Sequence, residues 1–244
     1  MTIWQIPNGF PNLEKDRIHI WRANLDLSPQ QIECLESFLS EDEIVRANKF
    51  RFARHHRRFV VARGILRKLL GSYLNINPKN LVFTYGNKGK PFLNRVAECP
   101  LQFNLSHSHE YALFGFTFKH LIGVDLEYQR PMPDALKIAR RFFSQQEFQM
   151  IEEVEAERRL QLFFQLWTAK EAYLKALGIG LTDSLASVEI AIDRSDNSFY
   201  LSALEQDAEV SSKWSLYTCV PAENYTAAIA VNAPLKHNVD YWHW

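Results

Sequence analysis

The spacing of apolar and polar residues changes along the chain and predicts the order of its elements. Residues 17–22 (RIHIWR) alternate apolar and polar side chains, which is typical of a half-buried strand. Over residues 54–74 apolar residues recur at helical spacing with arginines between them, which predicts one long, basic, amphipathic helix. A second long helix is predicted over residues 158–177, and Gly178 and Gly180 are expected to end it.

Three motifs that begin with serine predict helix starts. In each motif the serine side chain can cap the helix, and a Gln or Glu three residues later can bind back to the serine backbone. The motifs are SPQQ at 28–31, SEDE at 40–43 and SQQE at 144–147. The proline of the first motif also suits the first position of a helix.

Short stretches rich in β-branched and aromatic residues follow each long helix and predict strands. After the first helix they are LVFTYG, QFNLS, YALFGFTF and LIGVDLEY, and after the second they fall at 185–192, 198–204, 213–220 and 224–231. We therefore predict an α/β (α+β) fold of two similar halves that meet near residues 120–133, each a long helix packed on a small, mostly antiparallel sheet. The order of elements repeats, but no repeat of individual residues supports the duplication. A ligand shared by two such halves would lie in the cleft between them.

The composition is that of a folded chain without a membrane span. Of its 244 residues 47% are hydrophobic, which is enough for one large core or two small ones. No apolar run approaches the roughly 20 residues of a membrane-spanning helix, and the start MTIWQIPNGF does not resemble a signal peptide. We therefore expect a cytoplasmic protein. The cysteines Cys34, Cys99 and Cys219 are far apart and predict neither a disulfide framework nor a zinc site.

Charge is balanced overall but is distributed unevenly. The net charge is zero at neutral pH, yet no Asp or Glu occurs between Glu43 and Glu98. The basic residues of that interval are Arg46, Lys49, Arg51, Arg54, Arg57, Arg58, Arg63, Arg67, Lys68, Lys79, Lys88, Lys90 and Arg95. Such segregation favours an anionic ligand or partner on one side of the molecule, although a solvated helix face would have the same composition.

Two acids end the apolar strand GVDLE. Because side chains two residues apart on a strand point to the same face, Asp125 and Glu127 are expected to lie side by side. Two such carboxylates suit Mg²⁺, which takes one or two protein carboxylates and completes its shell with water and substrate phosphates. An exposed acidic strand end would show the same pattern, so this motif is weak when it stands alone.

The second long helix carries an aromatic residue, an acid and a base on one stripe within WTAKEAYLK. Lys175 follows Glu171 by one helical turn, and Trp167 precedes Glu171 by one turn. An ordinary helix salt bridge, which contributes about 0.3–0.5 kcal/mol, would explain the acid and the base equally well.

Two polar turns could bind phosphate. FNLSHS places Ser106 and His107 where a strand runs into a turn, and their side chains could bind phosphate oxygens or merely cap the turn. NKGKP places Lys90 in a basic turn that lacks the spacing of a Walker loop. Neither a GxSxG elbow nor a Ser-His-Asp order accompanies these turns.

The motifs taken together resemble a known family. GKP, FNLSHS, GVDLE, FFSxxE and WxxKEAxxK occur in this order, which closely resembles the ordered motifs of Sfp-type 4′-phosphopantetheinyl transferases of the holo-carrier-protein synthase superfamily. The match covers roughly residues 46–182. Each motif is weak by itself, whereas five motifs in one order and at compatible spacing are specific.

The resemblance implies a metal site and a set of catalytic residues. Asp125, Glu127 and Glu171 match the three acids of the family's magnesium site. Glu171 is our choice for the general base, directly or through a metal-bound water. Lys175 and His107 are expected to place positive charge or donors at the reacting phosphate oxygens.

The resemblance also implies a coenzyme A site. Lys90 matches a residue at the coenzyme A phosphates, and Ser106 adjoins it. Arg46 and Lys49 fall where the family places basic residues at the 3′-phosphoadenosine end, and Arg58 is a further choice. His107 and Lys175 belong to this site as well.

The implied activity is transfer of the 4′-phosphopantetheine arm of coenzyme A to a serine of an apo acyl, peptidyl or polyketide carrier protein, with release of adenosine 3′,5′-bisphosphate. The implied fold is a pseudo-twofold pair of halves. Residues 1–122 would form the basic, coenzyme A-binding half, residues 123–244 would carry the magnesium site and the KE helix, and the active site would lie in the cleft between them. The length favours a monomer, and neither a nucleic acid nor a membrane is expected as a partner.

Two alternatives remain open from the sequence. RFARHHRRF interleaves basic and aromatic residues as nucleic-acid-binding segments do, but a nucleic-acid-binding module would leave the acids of the motifs idle. A catalytically inactive relative could bind coenzyme A or carrier proteins as a regulator. The presence of every acid and lysine of the motifs argues against such a loss of activity.

Overall fold

The computed structural model describes residues 2–93, 100–179, 185–193, 195, 198–204, 212–233 and 238–244. The helices are α1 (Pro29–Glu36), α2 (Glu41–Ala47), α3 (Ala53–Leu74), α4 (Ala135–Phe142), α5 (Gln145–Glu153) and α6 (Ala156–Leu177), with a 3₁₀ turn at Pro78–Asn80. The strands are β1 (Arg17–Asn24), β2 (Phe83–Tyr85), β3 (Pro91–Leu93), β4 (Leu101–Ser108), β5 (Tyr111–Phe118), β6 (Ile122–Tyr128), β7 (Val188–Ile192), β8 (Phe199–Leu204), β9 (Ser215–Cys219), β10 (Tyr225–Val231) and β11 (Asn238–His243).

Both long helices predicted from the apolar spacing are confirmed as α3 and α6. The strands predicted after each helix are confirmed as well, with shifts of a few residues at their ends. Gly178 follows α6 in the left-handed conformation, with φ of 75°, as expected for a residue that ends a helix. Gly180 lies outside the described residues.

Within the described part of the chain, the strands form two larger sheets and two hairpins. The strand order is β11-β1-β5-β4 in the first sheet and β6-β10-β9 in the second, while β2 pairs with β3 and β7 pairs with β8. These pairs are antiparallel except for β1 and β11, which run parallel. The mostly antiparallel sheets and their long helices confirm the predicted α/β class.

The layers stack in the order helix, sheet, sheet, helix. One face of the first sheet packs on α3, where Phe114 and Leu66 belong to one buried cluster. Its other face packs on the second sheet through a cluster that includes Ile20 and Val124. The far face of the second sheet packs on α6, and Ala228 lies in that contact. Within the described residues, no helix has both the length and the hydropathy needed to cross a membrane.

The last strand was missed by the sequence analysis. β11 pairs with β1, with Arg17 opposite Asn238 and Arg22 opposite His243. The Arg17 guanidinium also donates to the carboxylate of Asp240 through Nε at 2.7 Å. The end of the chain thus completes the sheet that its first strand begins, and the division of the chain at residues 122 and 123 stays a prediction.

The three predicted capping boxes are formed. The serine backbone N–H donates to the side chain of the residue three positions later at 3.1 Å in Ser28–Gln31, at 3.1 Å in Ser40–Glu43 and at 2.7 Å in Ser144–Glu147. Each of these bonds satisfies a backbone donor that the first turn of a helix cannot satisfy.

The glutamates of two capping boxes are also buried against cations of the following long helix. Glu43 accepts from Nε of Arg67 at 2.6 Å and from Nε of Arg63 at 2.9 Å. Glu147 pairs with Nζ of Lys170 at 2.7 Å, and both of these side chains are fully buried. In both places a buried ion pair anchors a short capped helix to the long helix that follows, α2 to α3 and α5 to α6.

Glu43→Ala is predicted to lower the free energy of unfolding by about 3–5 kcal/mol, because it leaves two buried arginine charges without their carboxylate. Urea unfolding at neutral pH measures this loss. Glu33→Ala, at an exposed position of α1, is the control and should change the free energy by less than about 0.5 kcal/mol. A loss at Glu43 no larger than the control's would show that this pair does not anchor α2.

Candidate active site

The two acids predicted to share one face of β6 do so. Ile122, Val124 and Leu126 belong to the cluster between the two sheets. Asp125 and Glu127 alternate with them and therefore lie on the opposite face, the side of α6. Asp125 is only 5% exposed.

A close contact at Gly123 brings β6 and α6 together. A Cβ atom built on Gly123 would lie 1.9 Å from the carbonyl oxygen of Ala172 and 2.4 Å from the backbone nitrogen of Ala176. Only glycine permits this approach of the two backbones. The contact brings Glu171 and Lys175 of α6 to the acids of β6.

Asp125 is the centre of the resulting polar cluster. Its Oδ1 accepts from Oγ of Ser106 at 3.0 Å and from Nζ of Lys175 at 3.2 Å. Its Oδ2 is buried and has no hydrogen-bond partner among the described residues. The lysine of the predicted helix stripe thus pairs with an acid on another element. Trp167 of the same stripe packs instead in the core, against Phe143.

The hydroxyls of FNLSHS lie along the acids of β6. Ser108 Oγ donates to Oε2 of Glu127 at 3.0 Å, as Ser106 does to Asp125. Ser108 Oγ in turn accepts from the backbone N–H of Tyr128 at 3.1 Å. The motif therefore orients both carboxylates in addition to ending its own strand.

The acids of this cluster, Asp125, Glu127 and Glu171, are largely buried, and little positive charge lies near them. Burial, which is the larger cause, and repulsion from Asp125 together raise the pKa of Glu171 to about 8. The same two causes, in the same order, raise the pKa of Glu127. Lys175 lowers both pKa values but does not outweigh these effects.

This arrangement fits a divalent cation. The unpartnered Oδ2 of Asp125 and the raised pKa values of Glu127 and Glu171 indicate that the described residues do little to stabilise the charged forms of these acids, which a cation would do. Among the described residues, no group of three or more His, Cys, Asp or Glu side chains is placed to hold a metal ion by itself. A bound Mg²⁺ would therefore take several oxygens from water and a phosphate ligand, as is usual for this ion.

A cleft of about 360 Å³ opens beside the acidic cluster. Its walls come from α2, α3, the β2–β3 turn, the end of β4 and the end of α6. The described residues that line it include no acid, and the basic ones are Arg46, Arg63, Lys88, Lys90, His107 and Lys175. Walls of this composition favour an anionic ligand.

Lys90 joins the β2–β3 turn to the second half of the chain. Its Nζ donates to the carbonyl oxygen of Ala176 at 2.7 Å and lies 3.4 Å from that of Ile122. Burial first, and then repulsion from Lys175, lowers the pKa of Lys90 to about 8. The ammonium group thus lies at the cleft without a carboxylate partner among the described residues.

A second cleft, of about 480 Å³, continues past His107. It is lined by Phe50, Arg54, His55, Arg58, Phe59, His107, Ser108, His109 and Arg130. Burial first, and then the charges of Lys175 and Arg46, lowers the pKa of His107. An uncharged imidazole at the junction of the two clefts can accept as well as donate a hydrogen bond.

The predicted coenzyme A residues divide between these surfaces. Arg46, Lys90, Ser106, His107 and Lys175 line the first cleft. Arg58 lines the second cleft, where its guanidinium makes two bonds to the carboxylate of Asp26, at 3.0 and 2.7 Å. Lys49 is exposed and lines neither cleft.

Two residues of the first cleft were not singled out from the sequence. Arg63 lines the cleft and donates to the hydroxyl of Tyr85 at 2.6 Å. Asn104 lies in FNLSHS, and its Oδ1 accepts from the backbone N–H of Val124 at 3.0 Å, which ties β4 to β6. Asn104 could have been chosen from the sequence, because it lies in the motif FNLSHS. Arg63 could not, because nothing in the sequence distinguishes it from the other arginines of α3.

Comparisons with known proteins identify the family. A model of the 4′-phosphopantetheinyl transferase superfamily matches residues 121–230, and a model of the N-terminal part of 4′-phosphopantetheinyl transferases matches residues 23–116. The 4′-phosphopantetheinyl transferase HetI of Nostoc sp. is 41% identical over 237 residues, which cover 96% of this chain and 96% of the relative. The 4′-phosphopantetheinyl transferase psf-1 of Bacillus pumilus is 33% identical over 158 residues, which cover 65% of this chain and 66% of the relative.

A solved structure also aligns with part of the chain. The holo-[acyl-carrier-protein] synthase of Thermotoga maritima covers 46% of this chain and 62% of its own, at 22% identity and a TM-score of 0.38. On the evidence of the curated relatives, the chain belongs to the 4′-phosphopantetheinyl transferase family. The family and the transferase class inferred from the five ordered motifs are confirmed.

Gly123→Ala is predicted to lower the free energy of unfolding by about 3 kcal/mol, because the new methyl group would overlap the backbone of α6. Gly115→Ala is the matched control, since the three atoms nearest to its methyl group would be side-chain atoms of Val124 and Ile122, and it should cost about 1 kcal/mol. Urea unfolding measures both. Equal losses would show that the two backbones at Gly123 can separate as easily as the side chains near Gly115 can shift.

Glu171→Gln is predicted to flatten the dependence of stability on pH. The folded protein raises the pKa of Glu171 from 4.5 to about 8, so it binds the proton more tightly than the unfolded chain does. Stability is therefore lost as the pH rises from about 5 to about 8. Urea unfolding without divalent cations should show a smaller loss across this range in the variant, and equal losses would contradict the raised pKa.

Proposed function

We propose that the protein transfers the 4′-phosphopantetheine group of coenzyme A to a serine hydroxyl of an apo carrier protein, with Mg²⁺, and releases adenosine 3′,5′-bisphosphate. The observation that carries this proposal is the bond between Lys175 and Asp125, which joins a cleft lined by cations to a cluster of buried acids. A polyanionic nucleotide suits the cleft, and a divalent cation suits the acids.

Coenzyme A would occupy the first cleft. Lys90 and Lys175 would donate to its phosphates, because charge-assisted bonds of this kind are strong and specific. Ser106 would lie beside these phosphates, with its hydroxyl hydrogen donated to Asp125. Arg46 would lie toward the 3′-phosphate end, with His107 at the junction of the clefts. Two further contacts proposed at that end are Lys49 and Arg58, of which Arg58 would have to exchange Asp26 for a phosphate.

Asp125, Glu127 and Glu171 would hold the Mg²⁺. When bound, the ion supplies positive charge that offsets the charges of the pyrophosphate and of these acids. The hydroxyls of Ser106 and Ser108 keep the two carboxylates of β6 in place for that task.

The transfer is a displacement at the β-phosphorus of coenzyme A. Glu171 would accept the proton of the serine hydroxyl, since a carboxylate on α6 beside the acids of β6 could reach an incoming hydroxyl. The serine oxygen forms a bond to the β-phosphorus, and the bond from this phosphorus to the bridging oxygen breaks. Adenosine 3′,5′-bisphosphate leaves with that oxygen, and Lys175 and His107 would stabilise the charge that develops on it.

We further propose that the acceptors are apo acyl carrier proteins or the carrier domains of polyketide and peptide synthetases. The cationic surface around α3 supports acidic partners. The proposal includes a cytoplasmic monomer with halves at 1–122 and 123–244 and neither a nucleic-acid nor a membrane partner. The motif lysines Lys90 and Lys175 line the first cleft, and the bond from Lys175 to Asp125 joins this cleft to the buried acids beside it, which favours an active enzyme over an inactive regulator.

Mass spectrometry of intact carrier proteins tests this function. The protein is incubated with coenzyme A, Mg²⁺ and a panel of purified apo carrier proteins, and at least one should gain the mass of one phosphopantetheinyl group. Asp125→Ala should retain less than about a tenth of the rate, because it removes a proposed metal ligand. A carrier whose target serine is alanine is the control. No gain on any carrier, or an unchanged rate in the presence of a chelator, would contradict the proposal.

Lys175→Ala is predicted to lower turnover at least about a hundredfold, because a cation at the pyrophosphate contributes about 2.7 kcal/mol or more to lowering the barrier. Its melting temperature should stay within a few degrees of the parent's, since the side chain is partly exposed and one ion pair is lost. Lys175→Arg should recover only part of the rate. Turnover of Lys175→Ala equal to the parent's at saturating coenzyme A would limit Lys175 to a structural role.

A further inference from the structure

Two residues of the ordered motifs have no role in the transfer described above. Glu147 belongs to FFSxxE and Lys170 to WxxKEAxxK. The two side chains are each other's ion-pair partner, with Nζ of Lys170 at 2.7 Å from Oε2 of Glu147, and both are fully buried. Nζ of Lys170 also lies 5.2 Å from the ring centre of Phe143, which belongs to FFSxxE. The two motifs are therefore packed against each other inside the second half.

The pair also binds backbone groups of the chain that returns to α6. Nζ of Lys170 donates to the carbonyl oxygens of Leu185, at 2.8 Å, and of Val188. Oε1 of Glu147 accepts from the backbone N–H of Ile190 at 2.8 Å. A single buried network thus joins the start of α5, the middle of α6 and the start of β7.

This network holds one side of α6, and Gly123 holds the other. Successive residues of a helix are about 100° apart around its axis, so Lys170 and Ala172 flank Glu171 on its two sides. Lys170 is fixed by Glu147, and Ala172 lies against Gly123. These two contacts flank Glu171 and would oppose rotation of α6 about its axis in either direction.

We propose that Glu147 and Lys170 are positioning residues for the base Glu171. This inference rests on the proposed function of Glu171 in the transfer. Losing the pair should lower turnover and leave the apparent affinity for coenzyme A nearly unchanged, because most of the cations that line the cleft lie on α2, α3 and the β2–β3 turn. A displacement of about 1 Å at a reacting group is enough to slow a reaction by about a hundredfold.

The double variant Glu147→Gln, Lys170→Met tests the proposal. Removing both charges avoids a single buried charge without a partner, and such replacements are often tolerated. The amide oxygen introduced by Glu147→Gln can still accept from the backbone N–H of Ile190. We expect a turnover at least about tenfold below that of the parent, with the Michaelis constant for coenzyme A within about threefold. The parent must first show transfer to a carrier protein; if it shows none, the proposed function fails and the positioning role falls with it.

Arg67→Met is the matched control. Arg67 is a cation of α3 that is buried as Lys170 is, and it donates to Glu43 and to the carbonyl oxygen of Leu81, but it does not line the cleft. Its loss should lower the melting temperature by several degrees while turnover stays within about threefold of the parent's. If the parent is active and the folded double variant has the same turnover, the positioning role is overturned. If the double variant does not fold, Glu147→Gln is measured alone. A turnover at least about tenfold below the parent's would support the positioning role, and a turnover equal to the parent's would overturn it.

Discussion

The contact between β6 and α6 at Gly123 is the constraint on which the rest of the site depends. Two backbones approach there at a distance that no side chain permits. A strand repeats every two residues and a helix every 3.6, so fixing Gly123 against Ala172 also fixes which residues follow on each element. Asp125 then lies two residues along the strand, and Glu171 and Lys175 lie on the adjoining face of the helix. Because Gly123 has no side chain, β6 and α6 can approach closely enough to bring the polar residues of both elements into one cluster.

The second important feature of the site is that a cation and an acid within it have shifted pKa values. Lys90 has a pKa lowered to about 8 at the cleft, and Glu171 has a pKa raised to about 8 beside it. Burial is the largest cause of both shifts, and the opposite charge near each group is too small to reverse them. A ligand that carries phosphates to the cations and a divalent cation to the acids would relieve both, and its binding energy would then stabilise the folded state.

Local patterns in the sequence predicted the elements and part of the site. Alternation along GVDLE was sufficient to place Asp125 and Glu127 on one face, because period and face are properties of a single strand. β11 could not be predicted in its place, since its partner β1 lies at the other end of the chain and no turn connects them. For the same reason the sequence could not show that Asp26 binds Arg58, or that Lys175 pairs with Asp125 across two elements. Pairings between distant segments depend on packing, which local spacing does not encode.

The most direct test of this account is the position of a metal ion in crystals grown with coenzyme A and Mn²⁺ in place of Mg²⁺. Anomalous diffraction would locate the ion without any assumption about the reaction. The account predicts a peak within bonding distance of Oδ2 of Asp125, the buried oxygen that has no partner among the described residues, and of the pyrophosphate. A peak away from Asp125, with coenzyme A bound in the first cleft, would contradict it.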